Sequence, residues 1–185
     1  MINKTKKHFL SIAIIVAVLS SLISVTPISD KAFPTGQAIE VQAATSGESN
    51  ALSRAKAYLQ TMPFSKKGLI KQLKFEGFTS KEAKYGAGKC GANWKEQASK
   101  KAKSYLDTMP FSKKGLIKQL KYDGFTAKEA TYGVSKCGAN WKEQAVKKAK
   151  SYLSSMSFSK QGLINQLKYD GFTDKEAKYG VKKAY

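Results

Sequence analysis

The sequence predicts an all-α protein made of three tandem repeats of about 47 residues, each with three short helices in a helix-turn-helix-like order, after a signal peptide. Three observations predict this fold class. Whole segments return at a fixed spacing, apolar residues recur at the spacing of amphipathic helices, and capping residues precede those stretches. No segment shows the apolar–polar alternation of a half-buried strand.

The repeat is visible as one long motif that returns twice. The segment MPFSKKGLIKQLK begins at Met62 and Met109, and a variant begins at Met156, so the period is 47 residues. A period of this size is typical of helical repeat arrays. The predicted limits are residues 53–99, 100–146 and 147–185, with the third repeat truncated. Residues 44–52 are predicted to lead into the first helix.

A helix is predicted to join each repeat to the next. Asn93 and Glu96 have the spacing of a capping box at its start, and Pro110 follows its end. Its apolar face carries Trp94, Ala98, Ala102, Tyr105 and Leu106. Because this helix crosses the limit between the first two repeats, we expect neighbouring repeats to pack against each other.

The second helix of the unit begins at Ser112. Phe111 and Leu116 have the spacing of a hydrophobic staple, and Gly124 is expected just past the helix end. Leu116, Ile117 and Leu120 form its predicted buried stripe.

The third helix of the unit opens with a Thr126–Glu129 capping box and ends at Gly138. A tyrosine–glycine pair recurs within it in every repeat. The small residue would let another helix approach closely. The three glycines are Gly86, Gly133 and Gly180.

The first 43 residues have the pattern of an export signal. Three lysines precede the uncharged apolar run of residues 9–25, and Val41 and Ala43 are small residues at the −3 and −1 positions of a cleavage site. We predict cleavage after Ala43 and a long signal that resembles those of Gram-positive bacteria. An uncleaved anchor is the second possibility, because the run approaches the ~17–25 residues that span a bilayer. Lipidation is a third and weaker one, because no cysteine closely follows the run.

Composition disfavours most enzyme and metal chemistry. The only histidine, His8, lies in the predicted signal, and two cysteines are too few for a four-thiolate zinc site. We find no phosphate-binding glycine motif and no nucleophile elbow. We therefore predict no catalytic residues, no metal, no cofactor and no small-molecule substrate.

The predicted mature chain is strongly basic. The whole chain has a formal charge of +20, and residues 1–43 contain four lysines and two acidic residues, which leaves +18. Solubility needs a magnitude of only roughly 2–8. Eight lysines follow the second helices of the first two repeats, and they form either a solvated face or a stripe that binds polyanions. They are Lys66, Lys67, Lys71, Lys74, Lys113, Lys114, Lys118 and Lys121.

A set of short pieces in each unit resembles a known family. In the second unit the pieces are Tyr105-Leu106, Phe111-Ser112, Gly115-Leu116, Gln119-Leu120, Gly124-Phe125-Thr126, Glu129-Ala130 and Asn140-Trp141. Together they resemble the repeat of the host cell surface-exposed lipoproteins, the Ltp family, over about residues 46–185. The resemblance implies exported helical repeats held at the cell surface. For members carried by phages it implies superinfection exclusion, in which DNA injection by a second phage is stopped.

Two pairs of residues have both a structural and a functional interpretation. Trp94 and Trp141 pack in or between repeats, or they are anchors for a partner. Cys90 and Cys137 occupy equivalent positions, and Ala184 at the third such position favours a small buried residue over a disulfide.

We therefore predict an exported helical binding protein at the surface of a Gram-positive cell. It blocks injection of phage DNA by contacting the injection machinery or the membrane site. One alternative is a structural protein that binds an anionic wall polymer or lipid surface and has no phage role. A cationic membrane-active protein is a further alternative, which the well-capped helices disfavour. Nonspecific binding to nucleic acid is expected at low salt.

Overall fold

The computed structural model describes residues 43–185, and these residues form nine α-helices without a strand. The predicted signal peptide lies outside this part, apart from the exposed residue Ala43. The helices are α1 Ser46–Thr61, α2 Lys66–Phe75, α3 Ser80–Lys89, α4 Trp94–Thr108, α5 Lys113–Tyr122, α6 Ala127–Lys136, α7 Trp141–Leu153, α8 Lys160–Tyr169 and α9 Asp174–Ala184. None of them is long and apolar enough to cross a membrane.

The helices pack as three successive three-helix bundles. Bundle 1 contains α1–α3, bundle 2 contains α4–α6, and bundle 3 contains α7–α9. In each bundle the first helix packs along the third, and the second helix closes the bundle. The prediction of an all-α fold with three three-helix units is confirmed.

The bundles begin and end at different residues from the predicted repeats, although the period is the same. The limits at 99/100 and 146/147 lie inside α4 and α7, and residues 46–52 of the predicted lead-in belong to α1. The third unit, predicted to be truncated, has all three helices. A repeating sequence reveals its period but not the start of the folded unit, since any window of one period repeats equally well. The whole linking helix α4 belongs to bundle 2.

Local capping explains where the helices begin and end. Thr126 and Glu129 form the predicted reciprocal capping box, and Gly124 has the left-handed φ of +93° expected just past a helix end. Asn93 caps α4 as predicted, by accepting hydrogen bonds from the amides of Lys95 and Glu96. The returning hydrogen bond from the Asn93 amide to the Glu96 carboxylate is not formed, so this capping box is only half made.

Each bundle has its own core of leucine and alanine side chains. In bundle 2, Leu116 and Leu120 are fully buried beside Ala98, Ala102 and Ala130. The equivalent leucines fill the other two cores. The described residues 43–185 contain all three cores, so we expect them to fold without the preceding segment.

The recurring glycine of the third helix lies against the backbone of the first helix. A Cβ added to Gly133 would lie 2.6 Å from the backbone carbonyl carbon of Ala98. Gly86 and Gly180 make the same approach to Ala51 and Ala145. The predicted close helix approach is confirmed, and it explains why the first and third helices share the largest contact of each bundle.

Candidate functional site

The second helices of neighbouring bundles meet end to end through a serine hydroxyl. Ser112, the N-cap of α5, accepts a hydrogen bond from the Gly115 amide at 2.9 Å and donates one to the Asp170 carbonyl oxygen at 2.6 Å. Asp170 is the C-cap of α8. Ser65 makes the same bridge from α2 to the carbonyl of Asp123. One hydroxyl thus satisfies an unpaired amide of one helix and an unpaired carbonyl of the next.

These bridges join the second helices end to end, in the order α8, α5, α2, with the C-terminus of each at the N-terminus of the next. The side chain of Lys67 lies against Gly124, and that of Lys114 lies against Gly171. Each helix has 10 residues and spans about 15 Å along its own axis. We call this end-to-end series of α8, α5 and α2 the helix line.

All eight predicted lysines are exposed and lie on the helix line. Lys66 and Lys113 are the first residues of α2 and α5. The other six follow the i, i+4, i+7 spacing, as Lys67, Lys71 and Lys74 do in α2, and this spacing puts them on one side of each helix, away from the buried leucines. These six lysines therefore form a basic face on each of two helices that meet end to end. Their binding to a polyanion stays a prediction.

The basic character fades at the third bundle. In α8, Gln161 and Asn165 replace two lysines, and the Gln161 side-chain amide donates to the Asn165 side-chain oxygen at 3.0 Å. Lys168 remains, but it forms an ion pair with Asp174 at 3.2 Å. The charge of the helix line is therefore concentrated on α2 and α5.

An exposed aromatic residue ends each second helix, a feature that was not predicted from the sequence. Phe75, Tyr122 and Tyr169 are 87%, 80% and 87% exposed. The signal was present, because these residues precede an acidic residue and a glycine and lie outside the leucine stripe of their helices. Each directly follows a lysine of the helix line, namely Lys74, Lys121 or Lys168.

Side-chain hydrogen bonds connect the end of the second helix to the first helix, through a tyrosine, an aspartate and a glutamine. The Tyr105 hydroxyl donates to the Asp123 carboxylate at 2.8 Å, and the Gln119 side-chain amide donates to both groups. Bundle 3 repeats the arrangement through Tyr152 and Asp170. Burial raises the pKa of Tyr105 to about 12, and the hydrogen bond to Asp123 acts in the same direction.

Bundle 1 uses an ion pair at the same place. Glu76 stands where the other bundles have aspartate, and its carboxylate accepts from the Arg54 guanidinium at 2.6 Å and 3.2 Å. The hydrogen bond to Glu76 raises the pKa of Arg54 further above its usual value. In all three bundles the acidic residue beside the exposed aromatic is engaged by the first helix.

The raised tyrosine pKa values predict a loss of stability at alkaline pH. Burial, reinforced by the hydrogen bond to Asp170, raises the pKa of Tyr152 to about 12 as well. A raised pKa means that the fold disfavours the phenolate, so this stabilisation is complete below about pH 10 and is lost as pH rises through about 12. Urea unfolding between these pH values should show a shallower fall in unfolding free energy for the double variant Tyr105→Phe, Tyr152→Phe. Equal slopes in both proteins would contradict the assignment.

The two tryptophans lie where neighbouring bundles join. Trp94 and Trp141 are half-buried, and each packs against the core of the preceding bundle although it begins the first helix of the next. One turn further, the buried side chain of Gln144 accepts a hydrogen bond from the Phe111 amide at 3.3 Å. These contacts confirm the packing expected between neighbouring units. A role as partner anchors stays a prediction.

The cysteines are free thiols in two separate cores. Cys137 is buried in bundle 2, where its thiol donates to the Val134 carbonyl at 3.1 Å, and Cys90 is half-buried in bundle 1. This placement agrees with the interpretation as small buried residues. Within residues 43–185, histidine, cysteine and acidic side chains form no group of three or more that would hold a metal ion.

A family model, described as host cell surface-exposed lipoprotein, matches this sequence three times. The matches cover residues 47–87, 93–136 and 140–183, which is more than half of the chain. The chain belongs to this family. Each match starts close to the beginning of α1, α4 or α7, so each family repeat corresponds to one bundle. The family predicted from the sequence motifs is confirmed.

Among solved structures, the chain is similar to Ltp, a superinfection exclusion protein from the Streptococcus thermophilus temperate phage TP-J34. The two share 34% sequence identity over 50% of this chain and 97% of that chain, with a TM-score of 0.48. No curated protein matches this sequence.

The family is described by its exposure at the host cell surface and not by a catalytic activity. This description supports the predicted surface location, and the absence of a catalytic role stays a prediction. Cleavage after Ala43 and attachment to a Gram-positive wall stay predictions.

Proposed function

We propose that the protein is exported to the surface of a Gram-positive cell and excludes a second phage by blocking injection of its DNA. The observation that carries this proposal is the family match over all three bundles. The similar protein Ltp is described as a superinfection exclusion protein, and we propose the same role for this chain. The block acts by occupying the injection machinery or its membrane site, in stoichiometric amounts and without a catalytic step.

The basic face on α2 and α5 supports retention at the surface. The eight exposed lysines meet anionic wall polymers or lipid head groups there, and the net charge of the predicted mature chain adds a general attraction. Such lysines also bind nucleic acid phosphates at low salt, so DNA binding in a gel does not identify the function.

The second candidate function is a structural protein that binds anionic wall polymers and has no phage role. The net charge favours it, because it exceeds what solubility requires, and the exposed lysines are accessible to such a polymer. The two candidates share surface retention and differ in the response to phage.

A phage challenge separates the two candidates. We expect a phage-sensitive Gram-positive host that expresses the full chain to adsorb phage normally but to receive much less phage DNA. Adsorption is scored by free phage remaining in the medium, and injection by the phage DNA recovered inside the cells.

The matched control lacks residues 2–43 and keeps the three bundles in the cytoplasm. It should restore normal injection, because the proposed block acts outside the cell. Unchanged injection of several phages, with the full chain shown at the surface by labelling of intact cells, would sink the exclusion proposal and leave the wall-binding candidate.

A further inference from the structure

The three exposed aromatic residues of the helix line have no role in the fold. Phe75, Tyr122 and Tyr169 point into solvent, whereas Phe125 and Phe172, which follow Tyr122 and Tyr169 by three residues, are only 4% exposed. Scattered apolar residues on a surface are ordinary in soluble proteins. A large aromatic side chain that is exposed at the same helical position in three successive bundles is a repeated feature of one surface.

The surroundings of these aromatic residues are basic. A lysine directly precedes each of them, and in α2 and α5 a second lysine lies one turn earlier, at Lys71 and Lys118. The following acidic side chain is turned inward, as shown by the bonds of Asp123 to Tyr105 and Gln119. An anion that approaches the aromatic end of α5 therefore meets lysines whose charge this carboxylate does not pair.

The serine bridges bring these separate basic and aromatic sites next to one another. The bridge from Ser65 to Asp123 brings the aromatic end of α5 to the lysine-rich start of α2. The bridge from Ser112 to Asp170 does the same for α8 and α5. Lysines and aromatic rings therefore alternate along the line, with neighbouring aromatic residues separated by about the length of one helix, roughly 15 Å.

We propose that the helix line binds the surface of an anionic phospholipid membrane, with its lysines at the head groups and its aromatic rings in the interface. Lysines near an anionic leaflet are attracted to it, and aromatic side chains favour the boundary between head groups and acyl chains. The inference rests on the surface location in the proposed function, and it identifies lipid as the anionic partner.

The spacing of the rings favours lipid over a wall polymer or a protein. A polyphosphate chain in water offers lysines a partner, but it has no apolar phase for Phe75 or Tyr122. Protein hot spots cluster in one packed pocket, whereas these rings are separated by a helix length. A bilayer presents the same interface at every point, so separate rings act as independent anchors.

The third bundle carries less unpaired positive charge on the helix line, so the proposal predicts unequal contributions from the three aromatic residues. Lys168 is paired with Asp174, and Gln161 and Asn165 are neutral. Alanine at Phe75 or Tyr122 is therefore expected to weaken membrane binding more than alanine at Tyr169.

The test uses residues 44–185, which contain all three cores, and two ligands. The ligands are phosphatidylcholine vesicles containing phosphatidylglycerol and a soluble inorganic polyphosphate. We expect the triple variant Phe75→Ala, Tyr122→Ala, Tyr169→Ala to lose about tenfold or more in vesicle affinity and to keep its polyphosphate affinity. Far-UV circular dichroism checks that the exposed substitutions leave the fold intact.

A contact measurement completes the test. Trp94 and Trp141 are half-buried where the bundles join, so a tryptophan introduced by Tyr122→Trp is the one that reports on the helix line. Brominated phosphatidylglycerol should quench this added fluorescence and not that of the parent protein. Equal quenching of the two proteins, an unchanged vesicle affinity of the triple variant, or equal losses for both ligands would overturn the proposal. Because no phage is present, this result is independent of the exclusion test.

Discussion

Replacing Gly86 with alanine is expected to destabilise the protein by about 1–3 kcal/mol. The new Cβ would lie 2.6 Å from the carbonyl oxygen of Ala51 and 2.7 Å from its carbonyl carbon, and both atoms are backbone. A flexible side chain can move away, but the backbone of a packed helix moves only if α1 separates from α3. This cost exceeds the gain of roughly 0.5–1 kcal/mol that alanine brings over glycine within a helix. Urea unfolding followed by circular dichroism measures the change.

Gly88 is the matched control, because it lies in the same helix only two residues away. A Cβ at Gly88 meets no atom within 4 Å, so Gly88→Ala is expected to stabilise the protein by about 0.5–1 kcal/mol. The same Gly→Ala change is thus expected to alter the unfolding free energy in opposite directions on the two faces of α3. A stabilising effect at both positions would show that α1 and α3 are not closely packed.

The helices and their ends could be predicted because their causes are local. The Thr126–Glu129 capping box and the left-handed Gly124 act within a few residues, so the sequence alone contains the whole signal. The close approach at Gly133 was also predictable, since glycine destabilises a helix interior and its return at the same helical position in every repeat indicates a close contact. The residue at which each folded unit begins was harder to predict, because a period of 47 residues has no natural starting point until the packing of α4 is known.

The arrangement of the candidate site could not be predicted from these local signals. Ser112 and Asp170 are separated by 58 residues, and neither residue differs in kind from an ordinary helix cap. The eight lysines were therefore identified as a group, while their continuity along the helix line was not. Phe75 was missed for a different reason, because aromatic residues in a helix are usually assigned to the core, and its exposure depends on which face the leucines occupy.

Removing the hydroxyl of Ser112 is expected to cost about 2–4 kcal/mol of unfolding free energy, whereas the same change at Ser159 costs about 1 kcal/mol. Both serines cap a second helix. The Ser112 hydroxyl accepts a hydrogen bond from the Gly115 amide at 2.9 Å, and the Ser159 hydroxyl accepts one from the Gly162 amide at 3.1 Å. Only Ser112, which is 2% exposed, also donates to the carbonyl of the next bundle. Its replacement by alanine leaves that carbonyl without its donor in a partly buried interface.

The comparison of Ser112→Ala with Ser159→Ala isolates the contact between bundles from the capping effect, because capping is common to both. Unfolding in urea gives the two free energies. If the serine bridges hold the helix line, the difference between the variants equals the loss of one partly buried hydrogen bond together with the cost of leaving its carbonyl unpaired. Equal costs at the two positions would mean that the bridge adds nothing. The junction of α5 with α8 would then depend on the glutamine and tryptophan contacts, as the Gln144–Phe111 hydrogen bond and the packing of Trp141 would still join bundles 2 and 3.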